Sequence, residues 1–300
     1  MKREPTFIKI GRKLRPLFLI RSLEKILKVF LKGNPNNPFL TIMIPPSYMY
    51  KKDTYRMAVC NGIRMKINLR HYNDHLTYWF FKNDILLQNI IDVIRPDDIV
   101  MDVGVNIGYY FLNFANKAKK GYVHGFEPNP IVYDFAKNNC DLNPFQNIKL
   151  NNIGLGHCKN LFEMSQINDN LGMNRIVASG TKTNNFLIEV EKLDDYVSMH
   201  GLARVDVMKI DVEGFEMNVL LGAEQTIIKW KPSLFIEIDE ENLQMNNGSF
   251  KAMSDWLTSK GYIILNALTI TILTKEDVTP HFDILAIHSE KKDYFSKFNK

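Results

Sequence analysis

At 300 residues, with 45% hydrophobic and 24% charged positions, the chain has an ordinary globular composition and enough length to bury a full core. Its three cysteines, Cys60, Cys140 and Cys158, form an odd set with neither CxxC nor His/Cys ligand spacing. That argues against a disulfide framework or a zinc site and favours a reducing, cytoplasmic compartment. The net charge of +5 is uneven: residues 1–34 carry ten Lys or Arg against Glu4 and Glu24, so the remainder is slightly acidic and suggests no nucleic-acid groove.

Taken in chain order, residues 1–34 read as a basic amphipathic helical arm. Leu14, Leu17, Phe18, Ile20, Leu23, Ile26, Leu27, Phe30 and Leu31 recur at helical spacing between the basic positions. Its longest apolar run is far short of the roughly 20 residues that span a bilayer, and it lacks the core and cleavage site of a signal peptide. Peripheral contact with a membrane surface or a partner competes with simple packing on the body, and the arm is expected to be dispensable for folding. Gly33-Asn34-Pro35-Asn36-Asn37-Pro38 reads as a linker. Residues 35–83 form a small β-containing lead-in, with strands over 55–60 and 63–69 joined by Asn61-Gly62, a two-residue hairpin signal. Its aromatic cluster Tyr72, Tyr78, Trp79, Phe80 and Phe81 reads as core.

From residue 84 to 300 strands and helices alternate, which predicts an α/β domain with a mostly parallel, Rossmann-like sheet. Seven strands are expected near 98–103, 122–127, 147–152, 205–211, 233–238, 261–265 and 283–288. Helices are expected near 84–94, 108–118, 130–142, 215–229 and 249–260, the third with Asn129 as N-cap and Pro130 at its first position. Residues 161–191 break the alternation and suggest an extra hairpin.

The first strand of this domain turns through Asp102-Val103-Gly104-Val105-Asn106-Ile107-Gly108 into a helix, and the second ends in Phe126-Glu127-Pro128-Asn129. An acid about 20 residues beyond such a glycine turn is placed to hold the hydroxyls of a nucleoside ribose. Dinucleotides and S-adenosylmethionine share that geometry. Asp102 beside the turn repels a pyrophosphate and attracts a sulfonium and an ammonium, and Asn106 departs from GxGxxG. The methyl donor is therefore favoured, with a nicotinamide oxidoreductase and a non-catalytic binding module as alternatives. A third strand ends in Lys209-Ile210-Asp211-Val212-Glu213-Gly214, so Asp211 and Glu213 should face the same crevice, and Lys209 shares the face of Asp211. Phe215, Val219, Ala223 and Ile227 form the packing stripe of the helix that follows.

These pieces, with Leu193-Asp194-Asp195, Leu220-Leu221-Gly222-Ala223 and Pro232-Ser233-Leu234-Phe235-Ile236-Glu237-Ile238, resemble in content and order the FkbM-type methyltransferases over about residues 95–240. The resemblance implies a class I methyltransferase sheet whose last strand is antiparallel, S-adenosylmethionine as donor, and a hydroxyl of a sugar or other natural product as acceptor. It implies donor-binding roles for Asp102, Gly104, Asn106, Gly108 and Glu127, with Asn129 beside them and Asn152 near the adenine. The sequence departs from the family at Ile153-Gly154, where small alanine-like residues are usual. The expected catalytic carboxylates are Asp211, Glu237 and Glu213. Either Asp211 accepts the hydroxyl proton, or Asp211 and Glu237 hold a hard cation such as Mg²⁺ that acidifies the hydroxyl.

Overall fold

The computed structural model describes residues 5–33, 37–80, 84–165, 175–176, 185–246, 248–274 and 277–291. The chain divides into two compact units, Met1–Asp84 and Ile85–Lys300.

The first unit contains α1 (Thr6–Leu14), a 3-10 turn (Arg15–Leu19), α2 (Arg21–Gly33), α3 (Pro38–Met43), β1 (Tyr55–Cys60), β2 (Ile63–Asn68) and α4 (Tyr72–Phe80). The arm is thus two helices, because Pro16 at the start of the 3-10 turn fixes φ and donates no backbone hydrogen bond. The linker reading is narrowed at both ends: Gly33 closes α2, and the Asn37 side chain caps α3 by accepting from Phe39 and Leu40 N–H. Residues 34–36 lie outside the described residues. The hairpin forms in the expected register, Cys60 opposite Ile63, with positive φ at both Asn61 and Gly62. Of the aromatic cluster, Tyr78 and Trp79 are buried and Tyr72 is exposed; the Phe80 side chain and Phe81 lie outside what is described.

The arm is not an appendage. Leu27 and Leu31 of α2 are buried, and so is Glu24. The Glu24 carboxylate accepts from Arg56 Nε and Nη2, both at 2.8 Å, and from the Tyr78 hydroxyl at 2.7 Å. Breaking a buried pair of this kind by removing one partner costs roughly 3–5 kcal/mol. Deleting the arm would leave Arg56 in that position, so the expectation that it is dispensable for folding is corrected. What reads in sequence as an arm and a lead-in lies in one unit.

The second unit runs through α5 (Ile85–Val93), β3 (Ile99–Val103), α6 (Tyr109–Lys117), β4 (Tyr122–Phe126), α7 (Pro130–Asp141), β5 (Ile148–Asn151), β6 (Gly154–Leu155), β7 (Asn160–Ser165), β8 (Arg175–Ile176) and β9 (Asn185–Glu191). It continues with α8 (Leu193–Met199), β10 (Val207–Ile210), α9 (Glu216–Gly222), α10 (Glu224–Trp230), β11 (Ser233–Asp239), α11 (Glu240–Met245), α12 (Phe250–Ser259), β12 (Tyr262–Asn266) and β13 (His281–His288). The seven expected strands form one sheet in the order β12-β13-β11-β10-β3-β4-β5. It is parallel from β5 to β11, and β13 inserts antiparallel between β11 and β12, the arrangement implied for a class I methyltransferase. The central strands are apolar on both faces, with Val100, Met101, Met208, Ile210, Leu234 and Ile236 all buried. Such strands must be covered by helices on both sides. The break in alternation is a separate sheet, ordered β6-β9-β7-β8, in which β7 and β9 pair antiparallel.

The single helix expected over 215–229 is two. Gly222 packs so closely that an added Cβ would lie 1.9 Å from Gly156 O, and α10 restarts where Asp194 accepts from the Gln225 and Thr226 amides. The stripe Phe215, Val219, Ala223, Ile227 is buried across the break.

Candidate active site

The parallel strands deliver their carboxyl ends, and the turns that follow, to one edge of the sheet. After β3 the chain turns through Gly104, Asn106 and Gly108, all at positive φ. Asparagine tolerates this left-handed conformation better than most residues, so it can stand where a glycine is usual. The turn folds onto β4: Gly104 and Val105 N–H both donate to Phe126 O. Glu127 then ties two turns together, its Oε2 accepting from Asn106 N–H at 2.9 Å and its Oε1 from Asn129 N–H at 3.1 Å. Asn129 caps α7, accepting from the Ile131 and Val132 amides, and its side chain is wholly buried. Its Oδ1 thus supports this loop, while its buried Nδ2 has no hydrogen-bond partner. Asn152 is exposed and donates from Nδ2 to the carbonyls of Glu127 and Pro128.

Beside this loop lies a charged row on the central strands. Lys209 on β10 is in register with Asp102 on β3, and its Nζ donates to Asp211 Oδ2 at 2.8 Å while standing 4.0 Å from Asp102 Oδ1. Asp102 is 0% exposed, and neither of its oxygens has a hydrogen-bond partner. Asp211 is the reachable acid of the pair, its side chain 34% exposed. It hydrogen-bonds Glu237 on β11. Glu213, also at positive φ, accepts at Oε2 from Asn242 Nδ2 of α11 at 3.2 Å, and its charge also bears on Glu237. The structure thus joins Asp211 with Glu237 and ties Glu213 to α11.

His281, at the start of β13, belongs to this cluster and is absent from the sequence reading. Its Nε2 lies 3.5 Å from Glu237 and its Nδ1 3.7 Å from Asp239, opposite which it pairs in register. No motif surrounds it, and only the antiparallel pairing of β13 with β11 brings it in.

Burial and neighbouring charge set the protonation states. Burial pushes Asp102 up to about 7 against the pull of Lys209, and pushes Glu127 up to about 7 although two amides oppose it. Burial also works against charge on Asp211, but the Lys209 ammonium and the bond from Glu237 outweigh it, and Asp211 is held below the usual carboxylate range. Glu237 is driven the other way, to about 11, by the adjacent Asp211 charge and then by burial. At neutral pH the pair is an ionised Asp211 accepting the proton of a neutral Glu237. Lys209 stays charged despite its burial, because Asp211 and Asp102 flank it.

The Lys209 ammonium already occupies Asp211 Oδ2, and among the described residues there is no group of three or more His, Cys, Asp or Glu that could hold a metal ion.

A family model described as the methyltransferase FkbM domain matches residues 102–264, more than half of the chain. The chain belongs to that family. As an FkbM methyltransferase it leaves the nicotinamide alternative behind. Among its relatives is Methyltransferase 1 of Beauveria bassiana, 25% identical over 206 residues that cover 62% of this chain and 81% of the relative. The hexuronic acid methyltransferase AglP of Haloferax volcanii is 32% identical over 139 residues, 46% of this chain and 54% of its own. The 2-O-methyltransferase NoeI of Sinorhizobium fredii is 23% identical over 180 residues, 55% of this chain and 73% of its own. The matched FkbM domain starts at Asp102 and ends before His281.

Proposed function

We propose that this protein transfers a methyl group from S-adenosylmethionine to a hydroxyl oxygen of a saccharide or related natural product. The observation that carries the reading is the row Asp102–Lys209–Asp211–Glu237, which sets an ionised and a neutral carboxyl side by side next to a glycine turn closed by Glu127. Two relatives whose names specify hexuronic acid and 2-O-methylation support a sugar hydroxyl as acceptor.

The donor brings an electrophilic methyl on a sulfonium and carries no phosphate. A loop guarded by Asp102, Glu127 and Asp211 suits such a cation and would repel a pyrophosphate. Each Glu127 oxygen already accepts one amide and keeps a second lone pair, the chemistry needed to accept two ribose hydroxyls. Gly104 and Gly108 keep side chains off the turn, Asn106 shapes it, and exposed Asn152 lies beside the Glu127 carbonyl on the expected adenine side. Asp102, fully buried, acts on a bound cation through its field.

On the acceptor side, Asp211 Oδ takes the hydroxyl hydrogen bond and then the proton, and the Glu237 proton spreads the charge of Asp211 over both carboxyls. Exposed His281 stands next to Glu237 as the outlet to solvent. Asp211 is a weak base because Lys209 lowers its proton affinity. Alignment of the reactants, worth roughly 7–11 kcal/mol, therefore dominates over base catalysis, worth about 10² to 10⁴ in rate.

The test is incubation of the full chain with methyl-labelled S-adenosylmethionine and saccharides bearing free hydroxyls, uronic acids included. An acceptor gaining one methyl on oxygen, with S-adenosylhomocysteine released, is the expected result. Methylation of nitrogen or of a carboxyl instead would reject the reading.

A further inference from the structure

α2 carries two apolar faces, and among the described residues only one of them is packed. Leu27 and Leu31 turn inward with Glu24. Ile26, Val29 and Phe30 recur at i, i+3 and i+4, so they share one face, and they are 51%, 71% and 62% exposed. Lys25 and Arg21, also exposed, flank that face. The pattern continues through the N-terminal half of the unit: Phe7 and Ile10 of α1 and Ile20 in the following turn are exposed, with exposed Lys9 and Lys13 between them. A solvated helix places polar residues where α2 places valine and phenylalanine. Apolar residues interleaved with cations on a large exposed surface require a partner that is oily in depth and negative at its surface.

Charge decides which partner. The residues 1–34 that hold this face carry ten Lys or Arg against two acids. A second copy of the chain would set this strongly positive face against its own like, and a nucleic acid would leave the apolar side chains unburied. An anionic lipid surface satisfies both components: the side chains enter the acyl boundary while the lysines and arginines meet the headgroups. No helix among the described residues is long and apolar enough to cross a membrane, so the contact is peripheral.

We propose that the face of α2 formed by Ile26, Val29 and Phe30, with its flanking basic residues, docks this protein on an anionic membrane surface. The proposal rests on the first unit alone and stands or falls independently of the methyl acceptor.

The experiment is flotation of the purified full-length protein with vesicles of phosphatidylcholine alone or of phosphatidylcholine mixed with phosphatidylglycerol. Binding to the acidic vesicles is expected, weak on the neutral ones and falling steeply with added salt. Val29→Ser with Phe30→Ser should reduce binding by about tenfold or more, since it removes two inserting side chains. Arg21→Ser with Lys25→Ser should weaken binding to acidic vesicles and flatten the salt dependence. All four positions are exposed, so circular dichroism and thermal melting should match the parent. Leu161→Ser, at an exposed apolar position on β7, should leave binding unchanged. Absence of binding to acidic vesicles, equal binding to neutral ones, or full binding by the Val29/Phe30 variant would overturn the proposal. So would light scattering showing a parent dimer that this variant dissociates, which would assign the face to self-association.

Discussion

Asp211 and Glu237 are both carboxylic acids, and their neighbours give them opposite states. Asp211 has the Lys209 ammonium at 2.8 Å, whereas Glu237 has the Asp211 charge beside it. Asp211→Asn keeps the shape and an oxygen for Lys209 while removing the charged proton acceptor, so turnover should fall by about 10² or more. S-adenosylhomocysteine affinity should change little and the fold should persist at a lower melting temperature, since buried Lys209 loses a charged partner; parent-level turnover would dismiss the role. With the Lys209 ammonium already seated on Asp211, activity should persist in EDTA, and its loss with recovery on adding Mg²⁺ would establish the metal version. Glu127→Ala removes two charge-assisted bonds that close the loop, each worth roughly 1.5–3 kcal/mol. Calorimetry should show weaker S-adenosylhomocysteine binding, and unchanged affinity would remove Glu127 from the donor site. Most of this site was legible because strand ends announce themselves as acid-glycine motifs. Asp102 and Asp211 stood out that way, Glu127 by its spacing after the Gly104 turn, and Glu237 through the family resemblance. The burial of Asp102 and Asn129 was not legible, nor was the turning of Glu213 to Asn242, since both depend on packing between segments distant in sequence. His281 entered only through strand pairing.

At the scale of elements, the seam between β3 and β10 fixes the distance between the two halves of the site. Asp211 N–H donates to Val103 O, and a Cβ on Gly104 would lie 1.8 Å from Asp211 O. Gly104 also sits at φ +89°. Gly104→Ala therefore meets both a conformational penalty of about 1 kcal/mol and a backbone clash that pushes the strands apart. Gly201 shares the positive φ but has nothing within 4 Å of its added Cβ, so Gly201→Ala should show the conformational penalty alone. Thermal melts of the two variants should differ clearly, with donor binding lost only for Gly104→Ala; equal melts would mean that the seam is compliant. The same seam explains what could be read in advance. β3, β4, β10 and β11 were legible because buried parallel strands read as short apolar runs between turn signals, whereas β12 and β13 are antiparallel and β5 is only half-buried. The break between α9 and α10 escaped because its causes, Gly156 O against Gly222 and Asp194 capping α10, come from distant segments. α4 and α11 escaped for a local reason: an aromatic run such as Tyr78-Trp79 and a short acidic stretch such as Glu240-Glu241 carry weak helical periodicity.

For the whole molecule, pH should act on stability in an uncommon direction. Most folded proteins hold their carboxylates below the ordinary range, and their loss of charge drives acid unfolding. Here Asp102, Glu127 and Glu216 are all buried and raised to about 7. The Oε1 of Glu216 accepts the Val212 and Gly214 amides, while its buried Oε2 has no partner. A carboxyl whose folded pKa lies above its unfolded value binds its proton more tightly in the native state. Its charge is then a cost of folding, absent below the unfolded value near 4 and complete above about 7, so its contribution to stability falls as pH rises through that window. Glu237, at about 11, has the same sign and extends the fall upward. Asp211, held low, has the opposite sign but acts only in acid. His124, lowered to about 4, also has the opposite sign, below its ordinary value near 6.5, and Lys28, lowered to about 8, has it above that pH. The interval from pH 6.5 to 8 isolates the raised carboxyls. Across it each should lose roughly 1 kcal/mol, equivalent to about 2–4 °C in melting temperature for a unit of this size. The full-length protein without donor should therefore melt lower at pH 8 than at pH 6.5. Glu216→Gln keeps the oxygen that accepts both amides and never ionises, so it should narrow that gap by raising the melting temperature at pH 8. A parent that melts equally or higher at pH 8, or a Gln variant that retains the whole gap, would show that these carboxyls are not held up by burial.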